Sequence, residues 1–165
     1  MQSERRSDEY MILCLNSGSS SLKFALYQLR GPDERRLAQG AVERIGLTDG
    51  HLWIQGADDK ELADDRRDFP DHTAAVEAMF TVAARMGFPT PVAVGHRVVH
   101  GGPDHTAPER VGAPLLAELQ RLIPFAPLHL PSAIQGIEAV ASHFPDLPQV
   151  ACFDTAFHHR MPEVA

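Results

Sequence analysis

The chain has 165 residues, 44% hydrophobic and 22% charged, an ordinary balance for a globular protein with one sizeable core. Fifteen Lys and Arg against 22 Asp and Glu give a formal net charge of −7. That argues against a generic nucleic-acid binder, which carries a basic excess, but leaves room for an anionic substrate held in a local basic pocket.

In chain order, Met1–Glu9 is charged and polar with no apolar stretch after it, and it reads as a flexible extension and not as a signal peptide. Tyr10–Leu15 (YMILCL) is a short apolar run, as expected for a strand buried on both faces. The turn-forming cluster Asn16–Ser21 follows, then Leu22–Leu29 (LKFALYQL), so the two runs read as an antiparallel hairpin. Gly31-Pro32-Asp33 marks a turn, and Leu37–Ile45 and Gly50–Gln55 read as a third and a fourth strand. The charged stretch Ala57–Phe69 is expected to be a solvated loop.

Asp71–Arg85 has apolar residues at helical spacing, with Asp71 or Thr73 as its cap and Gly87 as its stop. Pro91–Val94 reads as a brief buried strand, Ala113–Leu122 as a second helix, Pro127–Pro131 as a rigid link and Ser132–His143 as a third helix. Gln149–Phe153 (QVACF) closes the series as a buried strand that delivers Asp154 at its C-terminal end. The order predicts an α/β domain with helices packed on a mixed sheet. No apolar run nears the roughly 20 residues that span a bilayer. Cys14 and Cys152 each lie in an apolar run and are expected to be buried small hydrophobes, in keeping with a cytoplasmic, reducing compartment.

Four segments could carry chemistry. Asn16–Lys23 (NSGSSSLK) combines a flexible turn with hydroxyls and one lysine, which suits a phosphate. It lacks Walker A spacing and is followed by a strand, so a plain hairpin turn is the competing reading. In Gly95–Gly102 (GHRVVHGG), Arg97 offers a planar fork for carboxylate or phosphate. The alternatives there are plain structure, or a metal held by His96 and His100, which strand spacing does not make converge. Asp154, in Phe153–His158 (FDTAFH), fits a general base, a magnesium-directed carboxylate or a helix cap. His129, in Ala126–His129 (APLH), is a loop histidine between prolines, a setting more common for surface or capping roles. A hydrolase built on Ser19 or Ser21 with His100 is disfavoured, because the Gly-x-Ser-x-Gly elbow is missing.

Taken together, NSGSSSLKF at 16–24, GHRVVHGG at 95–102, APLH at 126–129 and FDTAFH at 153–158 resemble the acetate kinase family, in its order and over the chain from about residue 10. The resemblance implies the ribonuclease H-like domain of the acetate and sugar kinase/Hsp70/actin superfamily, a mixed sheet with flanking helices. It implies reversible phosphoryl transfer between ATP and acetate, giving ADP and acetyl phosphate, with Mg2+. By motif position, Asn16 resembles the residue near the metal, and Ser19, Ser21 and Lys23 resemble phosphate contacts. Arg97 resembles the substrate-binding arginine, with Val99 and Leu128 in the acyl pocket and His129 nearby. Asp154 resembles the carboxylate that supports catalysis.

Leu130 departs from the polar residue, often asparagine, expected after APLH. The resemblance also implies that residues 10–165 form the N-terminal domain of a longer enzyme, which would be a cytoplasmic homodimer at full length. The C-terminal nucleotide-binding domain would lie outside this sequence, leaving the isolated chain inactive. A propionate- or butyrate-type kinase and a non-catalytic binding module are the alternatives.

Overall fold

A computed structural model describes residues 9–158. Eight strands form one sheet in the order β5-β4-β3-β2-β1-β6-β8-β7. Strands β1 (Glu9–Gly18), β2 (Ser21–Arg30), β3 (Asp33–Glu43), β4 (His51–Gly56) and β5 (Glu61–Arg66) form an antiparallel meander. Strands β6 (Ala93–Val98) and β8 (Gln149–Phe153) then extend it in parallel from β1. A two-residue strand, β7 (Glu109–Arg110), pairs antiparallel on the far edge.

Side chains on a strand alternate between faces, so each strand sorts its residues by parity. Leu13 and Leu15 on β1, Leu22, Phe24 and Leu26 on β2, and Val94 and Val98 on β6 are buried on one face. Helices α1 (His72–Arg85) and α3 (Leu130–His143) cover that face and pack on each other, and α2 (Ala113–Leu122) packs on α3. A final short helix, α4 (Asp154–His158), follows β8 directly. The apolar interior is in two parts. One lies between the meander and α1, and the other gathers Val98 and Phe153 with α2 and α3.

Several expectations are corrected. The expected extension over residues 1–9 lies outside the described residues except for Glu9, which opens β1. Residues 61–66 are a strand and not a loop. Their charges sit at the sheet's outer edge, where they remain hydrated while the backbone pairs with β4. The strand expected at Pro91–Val94 is displaced to Ala93–Val98, so it takes in the first half of the GHRVVHGG segment.

Cys14 and Cys152 are exposed free thiols, because they point to the face that α1–α3 do not cover. Asp71 caps α1, its Oδ1 accepting from the Ala74 N–H at 2.8 Å, as one of the two expected caps. Helix α3 begins at Leu130, two residues before the expected start, because Pro131 suits a first turn that needs no N–H. Leu130 is fully buried in the second apolar cluster, so an aliphatic residue there serves packing.

Candidate active site

The face left uncovered by α1–α3 is where the candidate residues gather. On β1 and β2, Asn16 pairs with Lys23 and Cys14 with Ala25. On β6, Gly95 pairs with Cys14, and Arg97 stands one step beyond the last β1 pair, Leu15 with His96. Arg97 pairs in turn with Cys152 on β8. Asn16, Lys23 and Arg97 consequently line one groove of about 370 Å³, with Cys14, Gly95 and Cys152 along it. Gly95 leaves open space there, since an added Cβ would meet nothing within 4 Å.

Arg97 engages Asp154, the first residue after β8. Its Nε lies 3.0 and 3.1 Å from the two carboxylate oxygens, and its Nη2 donates to Oδ2 at 2.7 Å. The carboxylate takes one edge of the guanidinium fork, the bidentate geometry these groups favour. Hydrogen bonding to Asp154, together with its charge, holds the Arg97 guanidinium protonated still more firmly than usual. Both partners keep substantial exposure, 55% for Arg97 and 36% for Asp154, so the pair is open to solvent and to an incoming anion.

The two histidines of the GHRVVHGG segment are spent on structure. His96 points to the covered face, is 2% exposed, and shares a 2.6 Å hydrogen bond with the Gln149 side chain. Burial pushes its pKa down to about 4, the Gln149 contact opposing only in part. His100 accepts the Gly102 N–H on its Nδ1 at 2.9 Å, closing a local turn. Among the described residues no cluster of three or more His, Cys, Asp or Glu is placed to hold a metal.

The hairpin tip is fixed from the other side of the sheet. His72, buried at the start of α1, holds the Gly18 carbonyl at 2.8 Å through Nε2. Ser17 is pressed onto α3, where a Cβ at Gly136 would collide with its hydroxyl. That hydroxyl is buried without a partner. Neither residue was a sequence candidate, and only the apolar periodicity around His72 pointed to an inward position. The tip therefore splits the expected phosphate contacts. Lys23 faces the groove with Arg97, whereas Ser19 lines a separate recess with Asp71, Thr73 and Gln135 beside α1 and α3. Ser21 pairs with Gly18 at the base of the turn.

The acyl-pocket candidates are less closely gathered. Val99 is half-buried in the bend after β6, two residues beyond Arg97. Leu128 is 78% exposed, and His129 is exposed at the N-cap of α3, where its carbonyl accepts from Ser132 Oγ at 3.0 Å. Neither Leu128 nor His129 lines the groove of Asn16, Lys23 and Arg97.

The profile of the acetokinase family matches residues 11–165. The chain belongs to that family. Its sequence is 45% identical to an acetate kinase of Streptomyces griseus over 96% of this chain, and 45% identical to one of Streptomyces coelicolor over 93% of it. A crystal structure of Porphyromonas gingivalis acetate kinase superposes with a TM-score of 0.85 at 36% identity, covering 94% of this chain and 40% of that one. A propionate kinase from Francisella tularensis does so at 0.83 and 34%, covering 94% of this chain and 39% of that one. This acetokinase-family chain spans 39% of the Streptomyces griseus relative and 38% of the Streptomyces coelicolor one, and matches their N-terminal part. The family's α/β fold, a mixed sheet with flanking helices of the actin/Hsp70/sugar-kinase type, is the fold found here.

Proposed function

We propose that this chain supplies one wall of the active site of an acetate kinase, which transfers phosphate reversibly between ATP and acetate. The observation that carries the reading is the Arg97–Asp154 pair, set at the ends of adjacent parallel strands over a groove that also holds Asn16 and Lys23. Ligands in open α/β sheets collect beyond the carboxyl ends of strands, and Arg97 and Asp154 stand there.

In this reading an acetate oxygen attacks the terminal phosphorus of ATP, a new P–O bond forms, and the bond to the ADP oxygen breaks. The acetate carboxylate is ionised at neutral pH, so no base has to remove a proton first. What remains is positioning and charge neutralisation. Arg97 takes the substrate carboxylate or the acetyl phosphate, and Lys23 faces phosphate oxygens along the same groove. Ser21, two residues before Lys23 on β2, contributes a phosphate contact from the hairpin base, whereas Ser19 would do so only by turning out of its separate recess. Val99, two residues beyond Arg97, is placed to bound the methyl group, whereas Leu128 and His129 would join it only by moving towards the groove. Asp154 orients Arg97 through their bidentate pair and would be available to the metal when it is bound.

Mg2+ prefers oxygen donors and keeps several waters, commonly taking one or two carboxylates plus substrate phosphates. The Asn16 amide oxygen and the Asp154 carboxylate fit that modest donor set. The metal, when bound with nucleotide, would neutralise phosphate charge.

Residues 10–165 act in this proposal as the N-terminal domain of a cytoplasmic, homodimeric enzyme whose nucleotide-binding residues lie in a C-terminal domain. None of the described helices is long and apolar enough to cross a membrane. The isolated 165-residue chain is expected to form no acetyl phosphate from acetate and ATP in a hydroxamate assay. It is expected to bind acetyl phosphate by NMR titration, with shifts centred on Arg97, and Arg97→Ala should abolish those shifts. Measurable turnover by the chain, or equal binding by Arg97→Ala, would overturn the reading. Defined affinity without turnover in a protein naturally of this length would instead mark a non-catalytic binding module.

The likeness to the Francisella tularensis propionate kinase supports a second reading, a propionate- or butyrate-type acyl kinase. One methylene is worth only about 1–3 kcal/mol of discrimination. Comparing acetyl with propionyl phosphate in the same titration separates the two.

A further inference from the structure

His105 is buried at 8% exposure on the segment between β6 and α2, although its chain neighbours lie at the surface. Its Nδ1 lies 2.7 Å from Glu109 Oε2 on β7, and its Nε2 lies 3.3 Å from Glu118 Oε2 on α2. The first contact is a hydrogen bond. The second is not aligned as one, so the buried Nε2 makes no hydrogen bond. The ring also stacks on Phe153 of β8, with centroids 5.1 Å apart and planes at 24°. One imidazole thus meets β8, the edge strand β7 and helix α2.

The same ring pair fixes the loop after β6. A Cβ at Gly101 would fall 2.7 Å from the Phe153 ring and 2.9 Å from His105 Cβ, so the loop closes tightly onto both. The Gly101 N–H donates in turn to Thr155 Oγ1 at 3.1 Å. Phe153 and Thr155 are the two neighbours of Asp154. The chain on both sides of Asp154 is therefore anchored, by the stack of Phe153 on His105 and by the bond of Thr155 to the Gly101 loop, which itself lies against His105.

We propose that His105 is a positioning residue, which sets Asp154 against Arg97 through Phe153 and the Gly101 loop. The proposal rests on the reading of Arg97 as the anion site. An exposed ion pair is worth only about 0–1 kcal/mol, too little for the Arg97–Asp154 pair to fix its own geometry. The precision has to come from the layer behind, as it does where groups one shell back orient a ligand.

The groups facing His105 are Glu109 from β7 and Glu118 from α2, while Phe153 and Gly101 are uncharged.

The test uses NMR on the 165-residue chain at a fixed pH, following the Arg97 Nε–H and the amides of Asp154 and Thr155, with inorganic phosphate as the probe. His105→Ala should shift the Arg97 and Asp154 signals and weaken phosphate binding about fivefold. His105→Phe keeps a ring on Phe153 and should restore the native positions and the phosphate affinity. Unchanged Arg97 and Asp154 signals in folded His105→Ala would overturn the proposal, as would a failure of folded His105→Phe to restore them. If His105→Ala fails to fold, His105→Leu, which keeps bulk there without the ring stack, must shift the same signals or the proposal falls. If phosphate does not bind the native chain, the anion-site reading fails, while the Arg97 and Asp154 signals still judge His105.

Discussion

On the covered face of the sheet Leu13, Leu15, Leu22 and Val98 are 5% exposed or less, whereas their chain neighbours Cys14, Lys23 and Arg97 on the other face are exposed. The same strands therefore make core with one parity and an open groove with the other. A one-residue slip of register would exchange the two sets. Covered-face residues act on stability, and open-face residues are free to hold charge at little structural expense.

The largest expected contrast is between Leu22 and its open-face counterpart. Leu22→Ala removes a fully buried side chain and should destabilise the chain by about 2–5 kcal/mol in denaturant unfolding. Ala25→Ser, on the groove side of the same strand, should stay within about 0.5 kcal/mol. Equal losses at both positions would break the comparison.

His96 gives the covered face a pH signature. Its pKa is depressed to about 4 in the fold, so below the ordinary value of 6.5 the unfolded chain takes up a proton that the native ring resists. Stability should fall as pH drops from about 6.5 towards 4, by up to roughly 3 kcal/mol from this group. Above 6.5 the ring is neutral in both states and contributes no slope. His96→Gln should show a flatter profile than the native chain over that window; coincident profiles would show that the ring is not desolvated.

Gly40 sharpens the point that the meander is tightly packed. A Cβ there would collide with the Trp53 carbonyl oxygen and the Phe24 ring. Gly40→Ala should cost about 1–3 kcal/mol in thermal unfolding, and no measurable cost would mean the strands can separate locally.

The smallest effect concerns the two thiols. Both should react with an aromatic disulfide reagent in the native chain, without denaturant. Partial desolvation in the groove raises the Cys14 thiol, aided by Cys152 and Glu34, so its reaction at pH 7 should be slow and should accelerate as pH rises. Reaction only after unfolding would show the face to be covered.

Much of this was legible in the chain. The hairpin, the cap at Asp71, helix α2 and strand β8 follow from apolar spacing and turn chemistry, which are local properties. The charged strand β5 was not, because an edge strand with hydrated side chains carries no alternation to read. Nor was the exposure of Cys14 and Cys152, because an apolar run looks the same whether one face or both are covered.

Donor type and motif order, which are written in the chain, single out Asn16, Ser19, Ser21, Lys23, Arg97, Val99, Leu128, His129 and Asp154 as candidates. Which of them meet depends on long-range strand pairing. Strand pairing across β2, β1, β6 and β8 sets Lys23, Asn16 and Arg97 in one groove and sends Ser19 to another recess. The support that His105 gives to Asp154 spans nearly fifty residues of chain, and no local pattern encodes a contact at that separation.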